Sequence, residues 1–322
     1  MLGRSGDVVF TGRMSTADTP GSERPAPVVS EELYAPIGEV ELCYQTFGDP
    51  DDEPLLLVMG LSGPMTWWDQ VFCERLAAAG FHVVRYDNRD TGRSSRVAAP
   101  VRHDQLLRAF ATGRAQAPYS MSDLAGDAVA LLGHLGLDSA HVVGVSMGGM
   151  IAQTVAIEHP SRVRSLTSIS STTGRRTVGW QHPALLPRLI APRKAGREAY
   201  ITSSVAMWAL IGSAGYPSDP ESLRARAGET FDRGVSTNGV LRQMMAILTQ
   251  PDRTPRLREL RVPALVLHGT ADKMVHVSGG RATAAAIPGA ELVLIDGMGH
   301  DLPADLFDTF VEAIARTAAR AT

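Results

Sequence analysis

Cysteine is nearly absent from this chain of 322 residues: there are two, Cys43 and Cys73. They fall on separate predicted elements, lack metal-ligand spacing and are too few for the disulfide scaffold of a small secreted domain. Both read as buried reduced thiols. Long apolar runs are missing too: no stretch approaches the ~18 residues that would span a bilayer. A dominant charge is also lacking. With 31 basic and 34 acidic residues the formal charge is −3, which offers no attraction to nucleic acid or to an anionic membrane and leaves a small, roughly neutral molecule as the expected partner. The first residues, MLGRSGDVVFTGRM, lack the apolar stretch of a secretory signal, so a cytoplasmic location is expected, and Met14 is an alternative start. No repeat of fixed period is visible. No cofactor or metal is expected.

What is present is an ordinary globular composition, 44% hydrophobic and 20% charged, at a length that suits one large α/β unit with an insertion. From Leu33 onward, short runs rich in Val, Leu and Ile alternate with longer amphipathic stretches. That is the pattern of a mostly parallel sheet wrapped by helices. Eight strands are predicted: Leu33 to Ala35, Val40 to Thr46, Leu55 to Met59, His82 to Tyr86, His141 to Val145, Val163 to Ser168, Ala264 to His268 and Glu291 to Ile295. Helices are predicted over Thr66 to Ala79, with Trp67, Val71, Phe72 and Leu76 on its apolar face, and from a cap at Ser120 or Ser122 to Leu135 before Gly136. Another runs from Ser146 to the residue before Pro160, and a last one from Ala304 to Ala319. Residues 1–30, rich in Ser, Thr, Pro and Gly, read as a disordered tail. The core then occupies 31–171 and 259–322, and 172–258, helical in tendency and free of strand signals, reads as a cap inserted after the sixth strand.

The run His141-Val142-Val143-Gly144-Val145-Ser146-Met147-Gly148-Gly149 sets G-x-S-x-G between a β-branched strand and an amphipathic helix. A serine is a weak nucleophile and must stand clear of the sheet on a sharp turn where a base reaches its oxygen. Such a turn brings strand and helix backbones together, so the positions two before and two after it admit only residues without a sizeable side chain, here Gly144 and Gly148. The helix N-terminus aims free N–H groups at developing negative charge, which makes the Met147 N–H one candidate oxyanion donor. The second is expected from the loop Met59-Gly60-Leu61-Ser62-Gly63, with Leu61 N–H as the donor.

Asp272 and His300 each follow a predicted strand, on the same sheet edge as Ser146. His300 would exchange the proton of Ser146, and Asp272 would fix the tautomer of that imidazole. The order Ser, Asp, His is the one expected of this sheet. His134 in a helix, His141 in a buried strand and His159 before a proline are weaker bases. His276 stands too close in sequence to Asp272 to pair with it comfortably, and Asp296 and Asp301 are weaker acids because neither ends the strand before that of the histidine.

Together these residues resemble the α/β-hydrolase superfamily from about Leu33 to Ala319. The stretches VMGLSGPMTWW, VVRYDNRDTGRSS, HVVGVSMGGM, VLHGTAD and GMGHDLP look most like a bacterial serine esterase group that includes aclacinomycin methylesterase and lipase-like carboxylesterases of actinomycetes. The resemblance implies a Ser146–Asp272–His300 triad, a helical cap and ester hydrolysis without a cofactor. It also implies that Asp87-Asn88-Arg89-Asp90 brace the oxyanion loop. Many relatives carry His-Gly where Met59-Gly60 stands, a departure that leaves the backbone donor untouched. Trp67, Trp180 and Trp208 are candidate pocket residues. For Trp180 and Trp208, as for Met207 and Met244, the core of the cap itself is an equal reading.

The expected activity is hydrolysis of a carboxylic ester of a small to medium apolar compound through an acyl-serine intermediate. The same triad also suits lactone, thioester or carbon–carbon bond hydrolysis and perhydrolysis, and a hydrolase-like ligand receptor is the alternative of another class.

Overall fold

The computed structural model describes residues 8–10, 26–185 and 196–321. A single sheet runs through it. The strands are β1 (Val8–Phe10), β2 (Leu33–Ile37), β3 (Val40–Phe47), β4 (Glu53–Val58), β5 (Phe81–Tyr86), β6 (Ala140–Val145), β7 (Val163–Ile169), β8 (Ala264–Gly269) and β9 (Glu291–Ile295). Their spatial order is β1-β9-β8-β7-β6-β4-β5-β3-β2. Every neighbouring pair is parallel except those made by β3, which runs antiparallel to both β2 and β5.

All eight expected strands are present, and β1 adds a ninth on the open edge of β9, with Val8 opposite Val293 and Phe10 opposite Ile295. Three apolar residues are too short a run to carry a period, and their pairing depends on an edge that is distant in sequence. Within the expected tail, Val29 also forms an isolated bridge to Phe47. Residues 1–7 and 11–25 of that tail lie outside the described residues.

The central parallel strands β5, β6 and β8 are buried along their whole length, which is why they read as continuous apolar runs. Alternate side chains serve opposite layers. Leu56, Val58, Val84 and Val142 join the core under helices α3 (Met121–His134) and α4 (Met147–Glu158). Leu55, Leu57, Val83 and Val143 join the other, under α1 (Gln70–Ala78) and the C-terminal helix α10 (Phe307–Ala318). The first helix differs from its expected span: Met65–Trp67 is a 3-10 turn, and α1 starts only after Asp69, whose side chain accepts the Val71 N–H and caps it. That cap turns Val71 outward, 47% exposed, while Phe72, Cys73 and Leu76 face the core. Ser120, not Ser122, caps α3. Both cysteines are free and buried.

Helix α2 (His103–Thr112) lies between β5 and α3. Between β7, the sixth of the expected strands, and β8, the described residues contain no strand. They form a 3-10 turn (Pro183–Leu185) and helices α5 (Arg197–Ile211), α6 (Pro220–Gly234), α7 (Thr237–Thr249) and the short α8 (Thr254–Leu257), and α9 (Ser278–Ala286) follows β8. At the base of this insertion, the buried Arg253 donates to Thr172 O, Gln153 Oε1 and Gln250 Oε1, tying both ends of the excursion to α4. Among the described residues, no helix is long and apolar enough to cross a membrane.

Candidate active site

Strand β6 has β4 on one side and β7 on the other. The chain therefore leaves neighbouring strands at the same edge, and the loops after β4, β6, β8 and β9 gather in the crevice where this type of sheet binds ligands. Ser146 stands at the tip of the turn from β6 into α4 with φ +57° and ψ −118°, a left-handed conformation that a side chain adopts only when the surroundings enforce it. The enforcement is visible. Ser146 N–H donates to Ile169 O at 2.9 Å, and its carbonyl accepts from Ser171 Oγ at 2.7 Å. Gly144 and Gly148 allow the close approach: a Cβ on Gly148 would lie 1.9 Å from Val58 O, and one on Gly144 would lie 2.1 Å from Gly148 O.

The three expected partners meet. His300 Nε2 lies 3.0 Å from Ser146 Oγ, and His300 Nδ1 lies 2.7 Å from Asp272 Oδ2. The other carboxylate oxygen of Asp272 accepts the N–H groups of Met274 and Val275, each at 2.9 Å. Burial by itself would raise this carboxyl. The charge and hydrogen bond of His300, with His268 and the Val275 N–H behind them, outweigh burial and hold it below the usual carboxylate range. His268 lies 3.6 Å from the same oxygen. Its Nε2 meets Val275 O at 2.8 Å, and burial lowers its imidazole.

The loop after β4 borders the serine. A Cβ on Gly60 would come 3.1 Å from Ser146 Cβ and 3.7 Å from its Oγ, so the loop that carries Leu61 closes on the serine turn. The charged loop after β5 is built into this arrangement: Asn88 Nδ2 donates to Met59 O at 3.0 Å, and Asp87 accepts the N–H groups of Met65 and Arg93 and the guanidinium of Arg233.

The tryptophans separate. Trp67 meets Trp208 edge to face with ring centres 5.1 Å apart, and its Nε1 donates to Thr230 Oγ1. Trp180 lies elsewhere, 46% exposed and stacked on His276 at 4.1 Å. The weaker candidates are also accounted for. His141 Nδ1 meets Ser165 Oγ, Asp296 accepts from Thr270, and Asp301 accepts from Ser213. Among the described residues, no three His, Cys, Asp or Glu side chains converge as a metal site.

Two residues that sequence reasoning passed over support the site. Ser171 braces Ser146 through its carbonyl. Ser213, just after α5, accepts the Gly299 N–H at 2.8 Å while the neighbouring His300 N–H donates to Ile211 O at 2.7 Å. Neither carries a motif, because each acts on a segment remote in sequence.

Known proteins of the same build can be set beside this one. Over 311 residues the chain is 33% identical to the rhodomycin D methylesterase of Streptomyces sp. strain C5, covering 88% of this chain and 97% of that protein. It is 32% identical over 310 residues to the enzyme of the same name from Streptomyces peucetius, with the same coverage. An enol-lactonase from Burkholderia xenovorans LB400 superposes with a TM-score of 0.70 at 24% identity, over 89% of this chain and 100% of that one. Residues 53–305 match the family model described as the alpha/beta hydrolase fold. That span takes in the strained serine turn, the loops bearing Asp272 and His300 and the whole helical insertion, and on that ground the chain belongs to the α/β-hydrolase fold family.

Proposed function

We propose that this protein is a serine carboxylesterase acting on a small to medium ester with an apolar body, with Ser146 as nucleophile, His300 as general base and acid, and Asp272 as the group that orients the histidine. The continuous hydrogen-bond chain Asp272–His300–Ser146 carries this reading. The methylesterase names of two relatives favour a methyl ester as the first substrate to try.

In the reaction, the Nδ1–H of His300 donates to Asp272, which leaves Nε2 free to take the Ser146 proton as Oγ attacks the ester carbonyl. The carbonyl oxygen becomes an oxyanion that the N–H groups of Met147 and Leu61 receive at the N-terminus of α4. His300 then protonates the departing alcohol, leaving an acyl-serine. Water, deprotonated by the same imidazole, attacks that ester and restores the hydroxyl. Trp67 and Trp208, paired between the oxyanion loop and α5, form an apolar wall for the substrate. Trp180 with His276 is a candidate for the mouth.

Hydrolysis of p-nitrophenyl esters of increasing length, run beside apolar methyl esters, lactones and thioesters, tests the proposal together with labelling by a fluorophosphonate. Ser146→Ala should abolish labelling and lower kcat by about 10⁴-fold or more. A folded wild-type protein that neither labels nor turns over any ester would instead be a ligand-binding member of the fold.

A further inference from the structure

Leu61 is held from both sides, by different parts of the molecule. On one side, Asn88 of the core donates to Met59 O. On the other, the Ser62 N–H donates at 2.9 Å to Oε1 of Gln243, a fully buried residue on the insertion helix α7. Both N–H donors of the Gln243 amide are also used, since its Nε2 donates to Arg89 O and to Thr91 Oγ1, each at 2.9 Å. Its neighbour Arg242 grips Asp90 with two bonds of 2.8 and 2.6 Å, so the helix cannot slide along the loop it spans. Ser62 itself has φ +56°, a conformation that costs a non-glycine residue ~1 kcal/mol and persists only with support.

We infer that Gln243 is a positioning residue for the oxyanion hole: through the Ser62 N–H it fixes the peptide that follows Leu61 and thereby aims the Leu61 N–H at the developing oxyanion. The inference rests on the acyl-enzyme reading above, with Leu61 as donor. It gives the insertion a part in transition-state stabilisation beyond covering the substrate. An amide is the one uncharged side-chain group that can accept from Ser62 on one side and donate twice on the other.

The test uses Gln243→Met in the full chain, which keeps length and volume but removes all three bonds. Active sites are titrated first with a fluorophosphonate, so that misfolded protein does not count. Two quantities are then measured: kcat and KM for a p-nitrophenyl ester, and the inhibition constant of an alkyl trifluoromethyl ketone, whose adduct with a serine places an oxyanion in the hole. Loss of an oxyanion donor costs about 10²–10³-fold in kcat. Misaiming one should cost roughly tenfold or more in kcat and the same factor in ketone affinity, with KM changed less than about threefold. If kcat per titrated site and ketone affinity both stay within about threefold of wild type, the inference is overturned, even if the melting temperature falls, because Gln243 would then be structural only. Should Gln243→Met fail to fold, Gln243→Asn, whose shorter amide cannot span both loops, is judged by the same two readouts. A wild-type protein that gives no burst and binds no ketone would overturn the esterase reading and this inference together. A wild type that does both while the Gln243 variant matches it would overturn the inference alone.

Discussion

The hydroxyl of Ser146 owes its reach to atoms that its neighbours do not have. Gly144 and Gly148 were readable from spacing alone, because a turn this tight forbids Cβ atoms two residues to either side. Gly60 is different: its motif indicates a turn, whereas the fold sets its Cα against the serine, where a methyl group would come 3.1 Å from Ser146 Cβ and 3.2 Å from Val145 O. Gly60→Ala should therefore displace either the hydroxyl or the oxyanion loop and lower kcat/KM by about tenfold or more, since small errors in the position of reacting groups are costly. Steady-state kinetics on the p-nitrophenyl ester that suits the wild type would check it, and an unchanged kcat/KM would mean that the loop yields without cost. A side chain's direction also depends on where its helix is capped. Val71 has helical spacing with Phe72 and Leu76, yet the start of α1 at Asp69 turns it to solvent.

At the scale of elements, the loop that brings His300 to the serine is bonded to the end of α5 as well as to the sheet. Ser213 Oγ accepts from Gly299 N–H and donates to Asp301, His300 N–H donates to Ile211 O, and Gly215 N–H donates to Gly297 O at 3.0 Å. Asp301, a rival for the acid on sequence grounds, is engaged here with Ser213, while the His300 ring meets Asp272. Ser213→Ala would leave the Gly299 N–H and the Asp301 carboxylate without their buried partner, at a cost of about 1–3 kcal/mol in stability. It should also lower kcat/KM by roughly tenfold, and Ser213→Thr, which keeps the hydroxyl, should recover most of both. Thermal unfolding and kinetics on the three proteins decide the matter, and a Ser213→Ala enzyme with wild-type kcat/KM would remove the α5 end from any part in placing His300. Nothing in the local string Gly212-Ser213-Ala214-Gly215 distinguishes it from a plain turn.

Over the whole molecule, buried histidines set how stability depends on pH. His82, His141 and His268 are each buried, and burial lowers each imidazole below its ordinary value near 6.5. In the unfolded chain these rings take up protons as the pH drops through about 6.5, while the folded chain refuses them until a lower pH. The unfolded state then binds more protons, so stability rises with pH across this window and is lost on acidification below it. Asp87 and Asp127, whose carboxyls burial raises, act with the opposite sign, starting from the carboxylate range. The melting temperature should therefore fall between about pH 7 and pH 5.5, and a histidine-free variant of position 141 such as His141→Asn should show a shallower fall. A flat profile over that interval would mean that these rings titrate normally in the fold.

Strand periodicity, the glycine spacing around Ser146 and the order of Ser146, Asp272 and His300 were legible in the chain, because each depends on local sterics or on which strand end a residue follows. The spans of α3, α4 and α10 were legible to within a turn for the same reason, whereas α1 starts four residues later than its spacing indicates and α2 and α9 carried no signal that was read. Other features depend on contacts between segments far apart, and no local pattern records them. The pairing of β1 with β9, the separation of Trp180 from the Trp67–Trp208 pair, and the hold of Ser213 and Gln243 on the loops that carry His300 and Leu61 are of this kind. A hydrogen bond across 181 residues, as between Ser62 and Gln243, leaves no periodicity in the string. It exists only once the sheet has gathered its loops at one edge and the insertion has closed over them.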